Sequence, residues 1–306
     1  MSILNPTSDG NVEILWSIAK FLSVKKSQDV EKLRAKLRVD DPAYDHGPVQ
    51  NTIRKALQLG VFTVENDKIG LSKSFNTLTK SNFETEFPKH LRRQIFAKKN
   101  NPDEAFFRQE ENIASDFTRM VAWSMLQKPS KFSLTFRNFN TMQAELFRQL
   151  DVFSEEQEKF INDTRYTQLK RWCSILGLMQ GRSGSEFLDA TIAVRSELDD
   201  VISELIGMEK NEKGRTLYPI GPFLDKLSAL LPVLDGGVYQ QRIMRVARDG
   251  VLSFPDKGRV SQVLSLALIR LEQGALIRLV NLADASGVLL DLAADEPRKV
   301  SYIERL

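Results

Sequence analysis

Several residue types that carry out chemistry are scarce in this chain of 306 residues. A single cysteine, Cys173, excludes an intramolecular disulfide, and two histidines leave little material for a His-dependent catalytic triad. His46, His90 and Cys173 lie far apart in the sequence, so a structural zinc site is not expected. The composition therefore predicts a protein that holds no metal and no cofactor.

The sequence motifs of common enzymes are also missing. There is no GxxxxGK[ST] phosphate loop, and "GRSGS" at 181–185 differs from GxSxG because Ser185 occupies the position of the last glycine. No Asp or Glu stands two residues before a lysine anywhere, which removes the usual carboxylate–lysine core of one nuclease superfamily. We therefore interpret the protein as non-enzymatic.

Long apolar runs are absent as well. No uninterrupted run approaches the roughly 20 residues that a membrane helix needs. The opening "MSILNPTSDG" has neither the basic nor the apolar region of a signal peptide. A lone cysteine suits a reducing compartment. These features predict a cytoplasmic protein with no membrane partner.

The charge of the chain is nearly balanced but unevenly distributed. Residues 1–100 carry 17 Lys and Arg against 11 Asp and Glu, residues 101–200 carry 12 against 16, and residues 201–306 carry 14 against 13. The first third is therefore the only clearly basic part. A local basic balance favours contact with nucleic acid there, and the alternative is an ordinary solvated helical surface.

The first 75 residues have the element order of a winged helix-turn-helix. Apolar periodicity predicts a helix over 11–24 capped by Asp9 or Asn11, and a second helix that begins at Ser27. A third helix starts at Pro48 and ends at Gly60, and two short strands follow across the turn Asn66-Asp67. In DNA-binding proteins of this class the third helix lies in the major groove.

The third helix has polar side chains at positions predicted to face outward. We expect Val49, Ile53 and Leu57 to face the core. The exposed positions should be Gln50, Asn51, Arg54, Lys55 and Gln58. Arg, Asn and Gln are the side chains that pair with base edges, so these residues are candidate DNA contacts. A solvated or protein-docking face is the alternative.

The same order of sequence features occurs twice more. Residues 169–194 and 266–292 each contain an apolar helix, a terminating glycine (Gly177 or Gly274), a turn-rich stretch and an alternating segment. The predicted fold class is mainly α (α+β), with multiple winged helix-turn-helix units joined by helices. The predicted segments are an N-terminal winged helix (1–75), a helical connector (76–150), a second unit (151–205) and a C-terminal unit (206–306).

Two further groups of basic residues are candidates for phosphate contact. Lys89, Arg92 and Arg93 lie in "PKHLRRQIFAKKN", the densest basic cluster in the chain. Arg182 lies in the glycine-rich tip "QGRSGS" of the second unit. A solvated connector and a simple mobile loop are the respective alternatives.

The C-terminal unit differs from the first in the helix over 259–273. That helix is apolar nearly all round, which predicts burial and a role in packing or partner binding. A hairpin over 287–306, with a charged turn at 295–299, is expected to follow it.

Three segments together resemble the DpdG family, the G component of a bacterial gene cluster that writes 7-deazaguanine derivatives into DNA and restricts DNA lacking them. They are "MSILNPTSDG", "VQNTIRKALQLGVFTVENDKIGLS" and "GVLLDLAADEPRKVSYIERL". The resemblance implies a role beside DNA modification or restriction, and it supplies no catalytic residues.

These observations lead to one main hypothesis and two alternatives. The main hypothesis is a component of a DNA modification and restriction (phage defence) system that binds duplex DNA through its N-terminal unit. Its C-terminal unit would bind other proteins of a multi-subunit complex. The alternatives are a scaffold whose winged helices bind only proteins, and a plasmid-type replication initiator.

Overall fold

The computed structural model describes residues 2–5, 10–30, 32–33, 47–103, 106–107, 113–129, 139–151, 162–181, 184–206, 209–210, 214–250, 252, 258–291 and 296–306. The chain divides into two compact units, unit 1 (Met1–Thr118 and Lys159–Leu176) and unit 2 (Arg119–Glu158 and Gly177–Leu306). The four segments drawn from the sequence remain a prediction about separate folding units.

The described residues are mainly helical and contain small sheets, which confirms the α+β class. The helices are α1 (Val12–Lys25), α2 (Gly47–Leu59), α3 (Phe83–Ile95), α4 (Ser115–Met125), α5 (Phe139–Gln149), α6 (Asp163–Ile175), α7 (Thr191–Ser203), α8 (Ile220–Leu230), α9 (Val238–Arg245) and α10 (Gln262–Gln273). The strands are β1 (Ser27–Asp29), β2 (Phe62–Glu65), β3 (Lys68–Leu71), β4 (Met179–Gln180), β5 (Phe187–Leu188), β6 (Glu209–Lys210), β7 (Thr216–Pro219), β8 (Arg259–Val260), β9 (Ile277–Val280), β10 (Val288–Leu290), β11 (Arg298–Val300) and β12 (Tyr302–Arg305).

Helix α1 begins as the sequence predicts, and the segment after it does not. The Asn11 side chain caps α1 by accepting hydrogen bonds from the amides of Glu13 and Ile14. Ser27 was expected to cap a second helix, but it lies in β1. The Oδ1 of Asp29 accepts a hydrogen bond from the Lys32 amide at 3.2 Å. Residues 31 and 34–38 of the predicted second helix lie outside the described residues.

Helix α2 and the hairpin after it match the sequence prediction. Gly60 ends α2 with a φ of +77°, a conformation in which glycine has no Cβ to clash. Asn66 and Asp67 both have positive φ and join β2 to β3 in a tight hairpin turn. Strand β1 pairs with the far side of β3, so the sheet order is β1-β3-β2.

The rest of unit 1 supplies an aromatic core. Phe117 lies 6.3 Å from both Phe96 and Trp172 between ring centroids, and the Trp172 Nε1–H donates to the Ile3 carbonyl at 3.1 Å. Helix α6, which the sequence assigns to a second winged-helix unit, is part of unit 1. Strands β4 and β5, which follow α6 in the sequence and pair with each other in a hairpin, are part of unit 2.

Unit 2 packs helices against a four-stranded sheet of order β6-β7-β12-β9. Helix α7 contacts α8 and α10, and α10 contacts β9. As predicted, α10 is buried over most of its surface, through Val263, Leu264, Ser265, Ala267, Leu268 and Leu271. This burial agrees with a packing role for the helix.

The C-terminal hairpin is shorter than the sequence predicts. Strands β10 and β11 form a hairpin in which Val288 pairs with Val300. The last strand, β12, does not extend this hairpin but pairs with β9 and β7. The prediction of a single hairpin over 287–306 is therefore wrong, because the apolar Ile303 of β12 finds partners in Leu279 and Tyr218.

Candidate nucleic-acid interface

Helix α2 leaves one polar face uncovered. Gln50, Arg54 and Gln58 are exposed, and Asn51 is partly exposed. Residues four apart on a helix lie above one another, so Gln50, Arg54 and Gln58 form a single stripe. At these four positions, the predicted outward orientation is correct.

Asn51 and Arg54 are joined to each other on this face. The Arg54 Nη2–H donates to Asn51 Oδ1 at 2.7 Å, one helical turn away. A guanidinium held in this way loses part of its rotamer freedom before any ligand arrives, which lowers the entropy cost of binding. Arginine and asparagine are also side chains that hydrogen-bond base edges in the major groove.

The same face carries one apolar side chain that the sequence was expected to bury. Leu57 is 36% exposed, so the prediction that it faces the core is wrong. The buried side of α2 is rotated toward Thr52 and Lys55 because residues 10–11 cover that side. The Asn11 amide donates to Thr52 Oγ1 at 2.9 Å.

That rotation also removes Lys55 from the candidate face. Lys55 is only 4% exposed, and a Cβ added at Gly10 would lie 3.0 Å from its Cδ. Its methylene chain is therefore packed beneath the segment that precedes α1. The prediction of Lys55 as an exposed DNA contact is wrong for this reason.

The basic cluster of α3 is largely buried. Arg92 is fully buried, and its Nη1–H donates at 2.7 Å to the carbonyl of Leu176, the residue that ends α6. A cation at a helix C-terminus satisfies exposed carbonyls and the helix dipole. Lys89 is 8% exposed and Arg93 is half-buried. The prediction of an exposed phosphate-binding cluster is therefore wrong for Lys89 and Arg92, since α3 turns these side chains into unit 1.

Comparison with known protein families identifies the chain. A family model described as DpdG-like matches residues 1–285. The chain belongs to the DpdG-like family. Membership confirms the resemblance and places the chain with the Dpd modification system. Comparisons with curated proteins and with solved structures gave no significant match.

One predicted contact of this DpdG-like chain, Arg182, lies outside the described residues. The glycines on either side, Gly181 and Gly184, both have positive φ. A Cβ at Gly181 would lie 2.4 Å from the Ser185 carbonyl oxygen, so the turn accepts only glycine there. The suggestion that Arg182 contacts phosphate stays a prediction.

Groups suited to other chemistry are few in the described part of the DpdG-like chain. Burial raises the pKa of the Cys173 thiol, which therefore stays protonated and unreactive. Among the described residues, no group of three or more His, Cys, Asp or Glu side chains could hold a metal ion. Likewise, none of the described helices combines the length and apolar character needed to cross a bilayer.

Proposed function

We propose that this chain is a non-enzymatic, cytoplasmic, DNA-binding component of the Dpd modification and restriction system. It contacts duplex DNA through the exposed face of α2 and binds a partner subunit through its C-terminal unit. The observation that carries the proposal is the exposed stripe of Gln50, Arg54 and Gln58, with Arg54 held by Asn51.

The elements around α2 support a winged-helix interpretation. They run α1, β1, α2, β2 and β3, and the strands form a small antiparallel sheet of order β1-β3-β2. The buried faces of α1 and α2 pack on each other, which leaves the outer face of α2 for a ligand. This is the arrangement in which a recognition helix enters the major groove.

The charge distribution supports a nucleic-acid ligand. Residues 1–100 contain the excess of basic over acidic residues, 17 against 11. Contacts between basic side chains and phosphates release counterions, so binding is expected to weaken steeply as salt rises.

Helix α10 supports a different role for the C-terminal unit. Its polar side chains bond within unit 2, since Arg270 pairs with Asp189 and Glu272 pairs with Arg298. The helix thus offers little polar surface to base edges, and we assign partner binding to this unit. Membership of a multi-protein system fits that assignment.

The test of DNA binding is the variant Arg54→Ala, measured by fluorescence anisotropy with a duplex oligonucleotide. Removing a base or phosphate contact is expected to weaken binding by about 1–3 kcal/mol, roughly 5- to 150-fold. Arg171→Ala is the matched control, because it removes one positive charge from unit 1 at a side chain that faces Glu13. Equal affinities for Arg54→Ala and the parent chain would show that α2 is not the helix that contacts DNA.

A second candidate function follows from Leu57. An exposed leucine beside Arg54 is also suited to a protein partner, which favours a scaffold role for the same helix. Leu57→Ala is then expected to abolish co-elution with the partner subunit, and purified parent protein should show no salt-sensitive retention on DNA. Retention on DNA that Leu57→Ala leaves intact would select DNA binding instead.

A further inference from the structure

A groove on the strand side of unit 1 has a composition suited to phosphate. It encloses about 590 Å³, and Lys26, Lys68 and Lys73 line it together with the hydroxyls of Ser27 and Thr63. Glu65 is the acidic side chain at its edge, so the lining carries a formal charge of +2. We call this surface the lysine groove.

The lysine groove lies on the sheet face opposite the core. Ser27 and Thr63 both pair with Gly70, so these three residues share one face of the sheet. Their neighbours Ile69 and Phe62 point the other way and are buried. Gly70 forms the floor, where any side chain would occupy the groove and press on the Lys26 carbonyl.

Two carboxylates lie on the same sheet face as the groove, because Lys68 pairs across the strands with Glu65 on one side and with Asp29 on the other. In the part of the chain that the structure describes, Lys68 and Lys73 make no ion pair, and both are exposed. The Lys26 ammonium reaches only the Leu78 carbonyl, at 3.5 Å. An anion in the groove would therefore lie close to Lys68, Lys73 and the hydroxyls of Ser27 and Thr63.

The backbone at Lys26 is strained. Its φ of +63° with ψ of −60° is costly for a residue with a Cβ, and glycine would adopt it more easily. Lys26 is one of the residues that line the groove, so a substitution there changes both the backbone strain and the lining.

We propose that the lysine groove binds a phosphate of the nucleic-acid backbone, beside the segment that α2 contacts. This inference rests on the proposed function for the source of the phosphate. The contact is independent of base sequence, since it engages only the phosphodiester. It fixes the position of α2 on the duplex, whereas Arg54 and its neighbours read the bases.

The experiment compares the double variant Lys68→Gln/Lys73→Gln, here called the groove variant, with the parent chain. Binding to duplex DNA is measured by fluorescence anisotropy over a range of salt concentrations. The slope of log affinity against log salt should become shallower by about one for each phosphate that the variant no longer binds. Lys20→Gln with Lys98→Gln is the control, because these exposed lysines of unit 1 lie outside the groove and face Glu84 and Asp103. The control should keep the parent slope.

Lys26→Gly provides a readout that a merely structural role would not give. The variant should unfold at higher denaturant concentration, because glycine relieves the strained φ, and it should still bind DNA less well at low salt. Higher stability with unchanged binding and slope would overturn the proposal.

Failure of the groove and failure of the proposed function are distinguishable. If Arg54→Ala weakens binding and the groove variant keeps the parent affinity and slope, the groove assignment is wrong and DNA binding stands. If the parent chain does not bind duplex DNA, inorganic phosphate is titrated while the amide signals of Thr63 and Gly70 are followed by NMR. If phosphate shifts these amide signals in the parent chain and not in the groove variant, the groove remains a phosphate site. If phosphate shifts no signal in the parent chain, the proposal is wrong.

Discussion

Helix α2 of unit 1 and helix α10 of unit 2 run into their following strands through the same backbone turn. The Val61 amide donates to the Ala56 carbonyl at 2.8 Å, and the Leu276 amide donates to the Leu271 carbonyl at 3.0 Å. Each turn has one residue with positive φ, Gly60 in the first and Ala275 in the second. A second bond in each turn, from the Gly60 amide to the Leu57 carbonyl and from the Ala275 amide to the Glu272 carbonyl, completes a Schellman motif, which ends many helices.

The surroundings of the two helices are opposite. Helix α2 keeps Gln50, Arg54 and Gln58 exposed, whereas the charged side chains of α10 bond to Asp189 and Arg298. The same local motif therefore serves an open polar face in one unit and a packed core element in the other. Local sequence sets how each helix ends, and the neighbours of the helix set what its faces can do.

The largest difference between the two helices is expected when a leucine of each is replaced by alanine. Leu268→Ala empties a fully buried site in α10 and should lower the free energy of unfolding by about 2–5 kcal/mol. Leu57→Ala, at a partly exposed site of α2, should cost clearly less, about 1 kcal/mol. Urea denaturation measures both, and equal losses would show that the two helices do not differ in burial.

Substitutions at the two residues of positive φ should change the free energy of unfolding in opposite directions. Gly60→Ala places a Cβ 2.7 Å from the Gln94 side chain and adds roughly 1–2 kcal/mol of backbone strain, so it should destabilise unit 1. Ala275→Gly relieves the φ of +52° and should stabilise unit 2 by up to about 1 kcal/mol. Thermal unfolding of the two variants tests this, and a loss of stability in Ala275→Gly would contradict it.

The smallest effect at neutral pH concerns the start of α10. Asp235 accepts hydrogen bonds from the amide and the hydroxyl of Ser261, the residue that caps this helix. Burial raises the pKa of Asp235, and the hydrogen bonds from Ser261 offset part of that rise. The folded state therefore binds the proton more tightly than the unfolded chain does.

This pKa difference fixes the sign of a pH effect. The stability linked to Asp235 is fully present below its unfolded pKa and is lost as pH rises through the higher folded pKa. Stability of the parent chain minus that of Asp235→Asn should thus increase as pH falls from neutral toward 4. Urea midpoints of both proteins across this pH range measure the difference.

Parts of the candidate site were predictable because they depend on neighbours in sequence. Asn11 caps α1, Gly60 ends α2, and the Asn66-Asp67 turn joins two strands, all through bonds that span a few residues. The apolar character of α10 likewise predicted its burial. Such features follow from backbone preferences and side-chain periodicity.

The remaining errors involve partners distant in sequence. Strand β1 exists because Ser27 meets Gly70 of β3, and Arg92 is buried because the Leu176 carbonyl lies within its reach. Strand β12 pairs with β9 and β7 instead of β10 for the same kind of reason. None of these partners can be read from the local pattern around the residue.

The sequence by itself determined the start of α1, the end of α2, the Asn66-Asp67 turn and the polar composition of α2, because short-range hydrogen bonds and steric limits on φ and ψ fix them. Only the tertiary structure decided which polar side chains stay in water. It buried Lys55 beneath residues 10–11 and exposed Leu57, and it brought Lys26 together with Lys68 and Lys73 around Gly70. Which side chains of α2 are buried depends on the segment that packs on the helix, and the polar pattern of α2 alone does not show that residues 10–11 cover Lys55.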